Sequence, residues 1–164
     1  SYLVDAGMSA NVGMTAVALI GLFNIFGSFY FGWAGGRSSK KNLLVWIYGL
    51  RAVAIFIFML VPLSTAAAWI FAAVIGILWL ATVPLTNGLI AQIFGLRYMS
   101  MLTGVVFLGH QLGSFLGAWM GGRIFDETGS YSLAWSISIG LSILAAICSW
   151  PVNEKPLARL GTAT

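Results

Sequence analysis

Apolar positions run in five long stretches along this chain, and polar residues fall mostly in the short gaps between them. The stretches cover residues 12–36, 43–61, 66–94, 99–122 and 131–150. A bilayer core about 30 Å thick needs roughly 20 apolar residues as helix, and each stretch meets that length. The second ends before Pro62 and the fifth stops at Pro151. The third holds Pro84 in its interior, which predicts a kinked helix with the carbonyl four residues earlier left free. Strict period-2 alternation is absent, so the pattern does not fit a membrane β-barrel. It predicts an all-α membrane protein of five transmembrane helices, with a loop at 1–11 and a tail at 151–164.

Composition strengthens that reading. Hydrophobic residues make up 60% of the chain and charged residues only 7%, whereas a soluble domain carries about 25% charged residues. Lipid must therefore solvate much of the surface, and the bilayer is the first expected partner. The net charge of +4 sits in short loops without a basic, aromatic-interleaved face, so nucleic acid is not an expected partner. The charges do assign sides. Five spans place Arg37, Lys40, Lys41, Arg97, Lys155 and Arg159 on one side, and only Arg123, beside Asp126 and Glu127, on the other. The Lys/Arg excess marks the cytoplasm. The tail is then cytoplasmic, residues 1–11 are extracytoplasmic, and a plasma (inner) membrane location is expected. The chain opens on Ser1 without a signal-peptide pattern, which suggests a fragment or processed piece.

Catalytic chemistry finds little support. The single cysteine, Cys148, lies in an apolar run, and no pair of metal ligands, Walker motif or dinucleotide fingerprint occurs. The one histidine has no acid near it in sequence. Neither an enzyme nor a cofactor is expected.

The informative residues are the polar and small ones inside the spans. His110 lies about 16 Å into the fourth span by helical rise. An ionisable group at that depth is a candidate for proton coupling or solute hydrogen bonding, with an interhelical hydrogen bond as the plainer role. Gly109, Gly113, Gly117 and Gly121 repeat every four residues beside it, a spacing that lets helices pack closely. Arg51 lies about 12 Å into the second span, where an arginine costs about 2.5–3.5 kcal/mol on insertion scales. All four acids lie outside the spans. Arg51 has three outlets: snorkelling to the interface, a partner beyond this chain, or an anionic solute. Trp79, Thr82 and Thr86 share a face around Pro84, with Asn87 following. Broken membrane helices build binding sites at the midplane, and an ordinary proline kink is the alternative. Asn24 shares a small, weakly polar face of the first span with Gly21, Ser28, Gly32 and Gly35.

The stretch from Gly32 to Lys41 resembles the cytoplasmic loop signature of the major facilitator superfamily. Gly32, Arg37, Lys40 and Lys41 match it, while Gly36 stands in place of its Asp and Ser39 in place of its second Gly. The segment 94–98 resembles the short connection between helices 10 and 11. The runs 109–117 and 121–131 resemble helix 11 and the outer loop of monocarboxylate-transporter-like and oxalate/formate-antiporter-like members. The resemblance spans essentially the whole chain and implies a partial C-terminal bundle, helices 8 to 12. It implies a secondary transporter moving a small organic solute, with carboxylates the class it points to, by alternating access. The expected partners are then the solute, protons as coupling ion, and the missing N-terminal half with helix 7. Under this numbering Asn24, Trp79, Thr86, Asn87 and His110 face or flank the cavity, and the glycine stripe packs against helix 2. Monocarboxylate carriers often place an anion-binding arginine on helix 8, and residues 12–36 contain none. A non-transporting membrane scaffold or assembly subunit is the alternative reading.

Overall fold

The computed structural model describes residues 2–157; Ser1 and residues 158–164, Arg159 among them, lie outside the described residues. The described residues form helices and turns and contain no strand. A single turn α1 (Tyr2–Asp5) precedes α2 (Ala10–Gly35), α3 (Lys40–Leu60), α4 (Thr65–Trp79), α5 (Thr82–Phe94), α6 (Met99–Thr128) and α7 (Ser132–Ser149). A 3-10 turn, Leu96–Tyr98, joins α5 to α6 after Gly95, whose φ of 76° ends α5. With α4 and α5 counted together, five segments are long and apolar enough to cross a membrane.

Local chemistry fixes the ends. Ser39 caps α3 by accepting from the Asn42 amide, and Ser64 caps α4 by accepting from that of Ala67. The Ser39 cap starts α3 at Lys40, so Arg51 lies deeper than the apolar run suggests, about 16 Å from that end. The helix α6 continues past residue 122 to Thr128. An Arg123–Glu127 pair bridges its extra turn, and Gly129 closes it in the left-handed conformation (φ 66°), its amide reaching the Phe125 carbonyl. At the start, the stretch read as a loop holds α1 and the first turn of α2. Tyr2 anchors it edge-on against Phe58, Tyr131 and Trp135.

Two helix pairs carry the packing, α2 with α4 and α3 with α7, and α5 lies against both α2 and α3. The α2–α4 crossing is set by glycine. A methyl group on Gly27 would fall within 2.8 Å of Ile77 backbone atoms, and one on Gly76 within 3.0 Å of the Ile20 backbone. Only hydrogen side chains allow these two backbones to approach so closely. The core, Leu44, Ile47, Leu78, Ala81, Leu85 and Leu89, lies where α3, α4 and α5 meet. In contrast, α6 has no buried residue. A Cβ added at Gly109, Gly113, Gly117 or Gly121 would meet nothing within 4 Å, so this stripe packs against none of the described residues.

Candidate mid-membrane site

The third apolar stretch is two helices, and the break falls at Leu80 and Ala81, ahead of Pro84. Pro84 occupies the first turn of α5, where a missing amide hydrogen costs least. Proline cannot donate to the Leu80 carbonyl four residues back, and the Val83 amide takes that acceptor at 3.0 Å. The kink therefore sits on the N-terminal side of the proline.

Side chains serve further groups of the break, and within it the Thr82 hydroxyl donates to the Trp79 carbonyl at 3.4 Å. The Leu80 amide donates to Oδ1 of Asn24 at 3.1 Å. Nη2 of Arg51 donates to the carbonyls of Leu78 at 2.7 Å and Trp79 at 3.2 Å. Arg51 thus uses a fourth outlet, outside the three weighed from sequence: the carbonyl end of a helix, where the dipole favours a cation. The guanidinium also lies 5.5 Å from the Tyr48 ring centroid. Its Nε is buried without a hydrogen-bond partner. By helical rise Asn24, Arg51 and Leu80 each lie about 14 Å or more from both ends of their spans, so the cluster is at mid-depth.

The other sequence candidates divide. Asn87, on α5, accepts from the Thr103 hydroxyl of α6 at 3.2 Å, which links those helices. Trp79 is half-exposed beside the break, and Thr86 is half-buried one turn further on. His110 is exposed, forms no hydrogen bond among the described residues, and lies near Phe107 of its own helix. Asn24, Arg51 and the Trp79 backbone meet in one place, and His110 does not join them.

The end of the bundle that carries the 32–41 loop holds a second polar network. The Glu154 carboxylate accepts from the Lys41 amide at 2.9 Å, at the N-terminus of α3. Burial opposes its charge, but hydrogen bonds from Lys41, Ser39 and Lys40, with the Lys40 charge, hold its pKa below the ordinary value. Lys40 donates to Gln92 at 2.7 Å, and Gln92 donates to the Glu154 carbonyl at 2.9 Å. The Leu157 amide then reaches the Ile93 carbonyl, so the tail lies across the end of α5. Of the loop motif, Arg37 stacks 4.2 Å over Trp33, Gly32 faces Pro84, and Lys40 and Lys41 join the network. Sequence reasoning missed Glu154. Its position three residues past Pro151, on the side of the basic loop, was the available signal. At the opposite end the Asp5 carboxylate accepts from the Tyr131 hydroxyl, which raises the phenol above its ordinary 10.0.

Comparison with known proteins supplies the identity of the frame. Monocarboxylate transporter 12-B of Danio rerio is 23% identical over 151 residues, which cover 88% of this chain and 31% of that protein. Monocarboxylate transporter 12 of Homo sapiens is 27% identical over 137 residues, 81% of this chain and 26% of that protein. The MFS transporter asaE of Aspergillus flavus is 26% identical over 141 residues, 86% of this chain and 32% of that protein. The chain thus spans about a third or less of the length of these relatives. No solved structure gives a significant match. The family model described as Major Facilitator Superfamily matches residues 1–163. With five apolar spans and a helix broken at mid-membrane, this chain is an integral multi-pass membrane protein that belongs to the Major Facilitator Superfamily.

Proposed function

We propose that the intact protein moves a small organic solute across its membrane by alternating access, and that this chain contributes five helices of the second bundle, numbers 8 to 12. The observation that carries the reading is the α4–α5 break at mid-depth, in a chain of this family. A broken helix at the midplane is where secondary transporters place solute and ion sites. Trp79, Thr86 and Asn87 flank the break and are the residues proposed to meet solute. Relatives named as monocarboxylate transporters support a carboxylate as the first class to test. The missing partners are then helix 7 and the N-terminal bundle. The Lys/Arg bias supports a cytoplasmic tail and a plasma (inner) membrane location.

Uptake into proteoliposomes of the intact gene product, screened over small carboxylates with an imposed pH gradient, tests this reading. Saturable uptake that requires the gradient is expected, and its absence for every organic solute would sink the proposal. His110 supplies a second arm. If it carries the coupling proton, His110→Ala abolishes pH-driven uptake while insertion stays normal. Unchanged pH dependence assigns His110 to helix packing in the intact bundle.

A further inference from the structure

Among the described spans, only the α4–α5 joint takes backbone groups out of the helical ladder at mid-depth. A backbone group without a partner costs several kcal/mol in hydrocarbon. The Leu80 carbonyl is satisfied within the joint, by Val83. The Trp79 carbonyl also accepts from the Thr82 hydroxyl within the joint, and two other helices supply further partners of opposite polarity. Asn24 on α2 supplies the acceptor for the Leu80 amide. Arg51 on α3 supplies donors for the Leu78 and Trp79 carbonyls. Arginine at this depth is costly, and the only carboxylates of the described spans, Asp126 and Glu127, sit in the last turn of α6, so none lies at mid-depth to offset it. The charge is directed instead at the carbonyl end of α4, where the half-helix dipole offers partial negative charge. The joint packs closely on its core side, with Ala81 0% and Leu85 1% exposed, while Leu80 and Trp79 face outward.

We propose that Asn24 and Arg51 are positioning residues that jointly hold the α4–α5 joint bent at mid-membrane. They thereby set the direction of α5 and, through the Asn87–Thr103 bond, the approach of α6. Neither side chain need touch solute for its loss to misplace Trp79, Thr86 and Asn87. The uptake arm of the test below rests on the transport reading, whereas the geometric arm stands without it.

Pulsed spin-label distances in the intact protein, with Cys148→Ser as background and labels at Ala66 and Ala91, report the bend. A straight helix would separate those α-carbons by about 37 Å. A single shorter distance is expected for the unaltered joint. Asn24→Leu and Arg51→Met should each broaden the distribution, and Arg51→Lys, which keeps a charged donor, should largely restore it. Pro84→Ala lets the Leu80 amide and carbonyl rejoin the ladder, shifting the distance toward the straight value. In that background Asn24→Leu should have no further effect. Uptake should fall about tenfold in Asn24→Leu and Arg51→Met at unchanged KM, the equivalent of one charge-assisted hydrogen bond. If Arg51→Met fails to accumulate, Arg51→Lys against Arg51→Gln makes the same comparison. An unaltered distance distribution in both single variants overturns the proposal, and a raised KM beside it makes the pair solute ligands. Altered distances in a protein that takes up no solute leave the positioning role intact and remove the transport reading.

Discussion

At the scale of single residues, the molecule depends on a few groups whose partners are far away in sequence. Glu154 is the clearest at the end that carries the basic loop. Its pKa is lowered in the folded state, so its contribution is complete above the ordinary glutamate value of 4.5. That contribution fades as pH falls from there and is gone below the lowered pKa. The tail is therefore expected to stay docked at neutral pH and to loosen only in acid, as read by the mobility of a spin label at Leu157→Cys in the Cys148→Ser background. Glu154→Gln should mimic the acid state at pH 7. It should cost about 0.5 kcal/mol, the scale of an exposed charge at a helix N-terminus. Label mobility unchanged between pH 7 and pH 3 would remove Glu154 from this role. Arg51 and Glu154 also mark the limit of sequence reading. The depth of Arg51 was legible from the order of residues, and so was the place of the tail at the end that carries the basic loop. Their partners, a helix end and a helix start, were not, because backbone groups carry no signature in sequence until a helix breaks or begins.

At the scale of elements, the apolar runs located every span, and the differences arose where local chemistry extends or divides a run. Ser39 lengthens α3, the Arg123–Glu127 turn lengthens α6, and Pro84 divides the third run ahead of itself. Glycine is the sharper lesson. The regular stripe on α6 attracts the eye, yet the close crossing is made by Gly27 and Gly76, which belong to no repeat. A crossing needs one small residue on each helix at one level, and sequence spacing within either helix does not reveal that. Gly76→Ile should push α4 off α2 and cost about 1–3 kcal/mol, the usual range for overpacking. Gly113→Ile should cost much less in this chain alone, because open space surrounds that position. Thermal unfolding in detergent separates the two, and equal losses would contradict the crossing described here.

At the scale of the whole molecule, the five helices are unequally supported. Helix α6 is exposed from Gly104 to Trp119, the stretch that carries His110, Gln111 and Ser114. Polar groups at this depth are expected to face protein or a water-filled cavity rather than lipid. Protein outside this chain is therefore expected to cover α6 in the intact protein. Cysteines placed at Gly113 and Ser114, with Cys148 replaced by Ser, should be labelled more slowly in the intact protein than in this chain alone. Equal rates would show that α6 stays bare. The same background tests sidedness. Ser38→Cys should react with an impermeant thiol reagent only from the cytoplasmic side, and Ser130→Cys only from outside.

The guanidinium of Arg51 has an electrical consequence. A formal charge at mid-depth stands within the transmembrane field, and carrying one elementary charge across the whole field is worth about 2.3 kcal/mol per 100 mV. Arg51 is bonded to the carbonyl end of α4, so a movement of that half-helix along the membrane normal carries the charge with it. A shift of one helical turn, roughly a sixth of the core thickness, would couple about 0.4 kcal/mol per 100 mV to the conformational equilibrium. A voltage step across a membrane densely loaded with the intact protein should then evoke a brief capacitive current before any solute is added. Arg51→Met should abolish it.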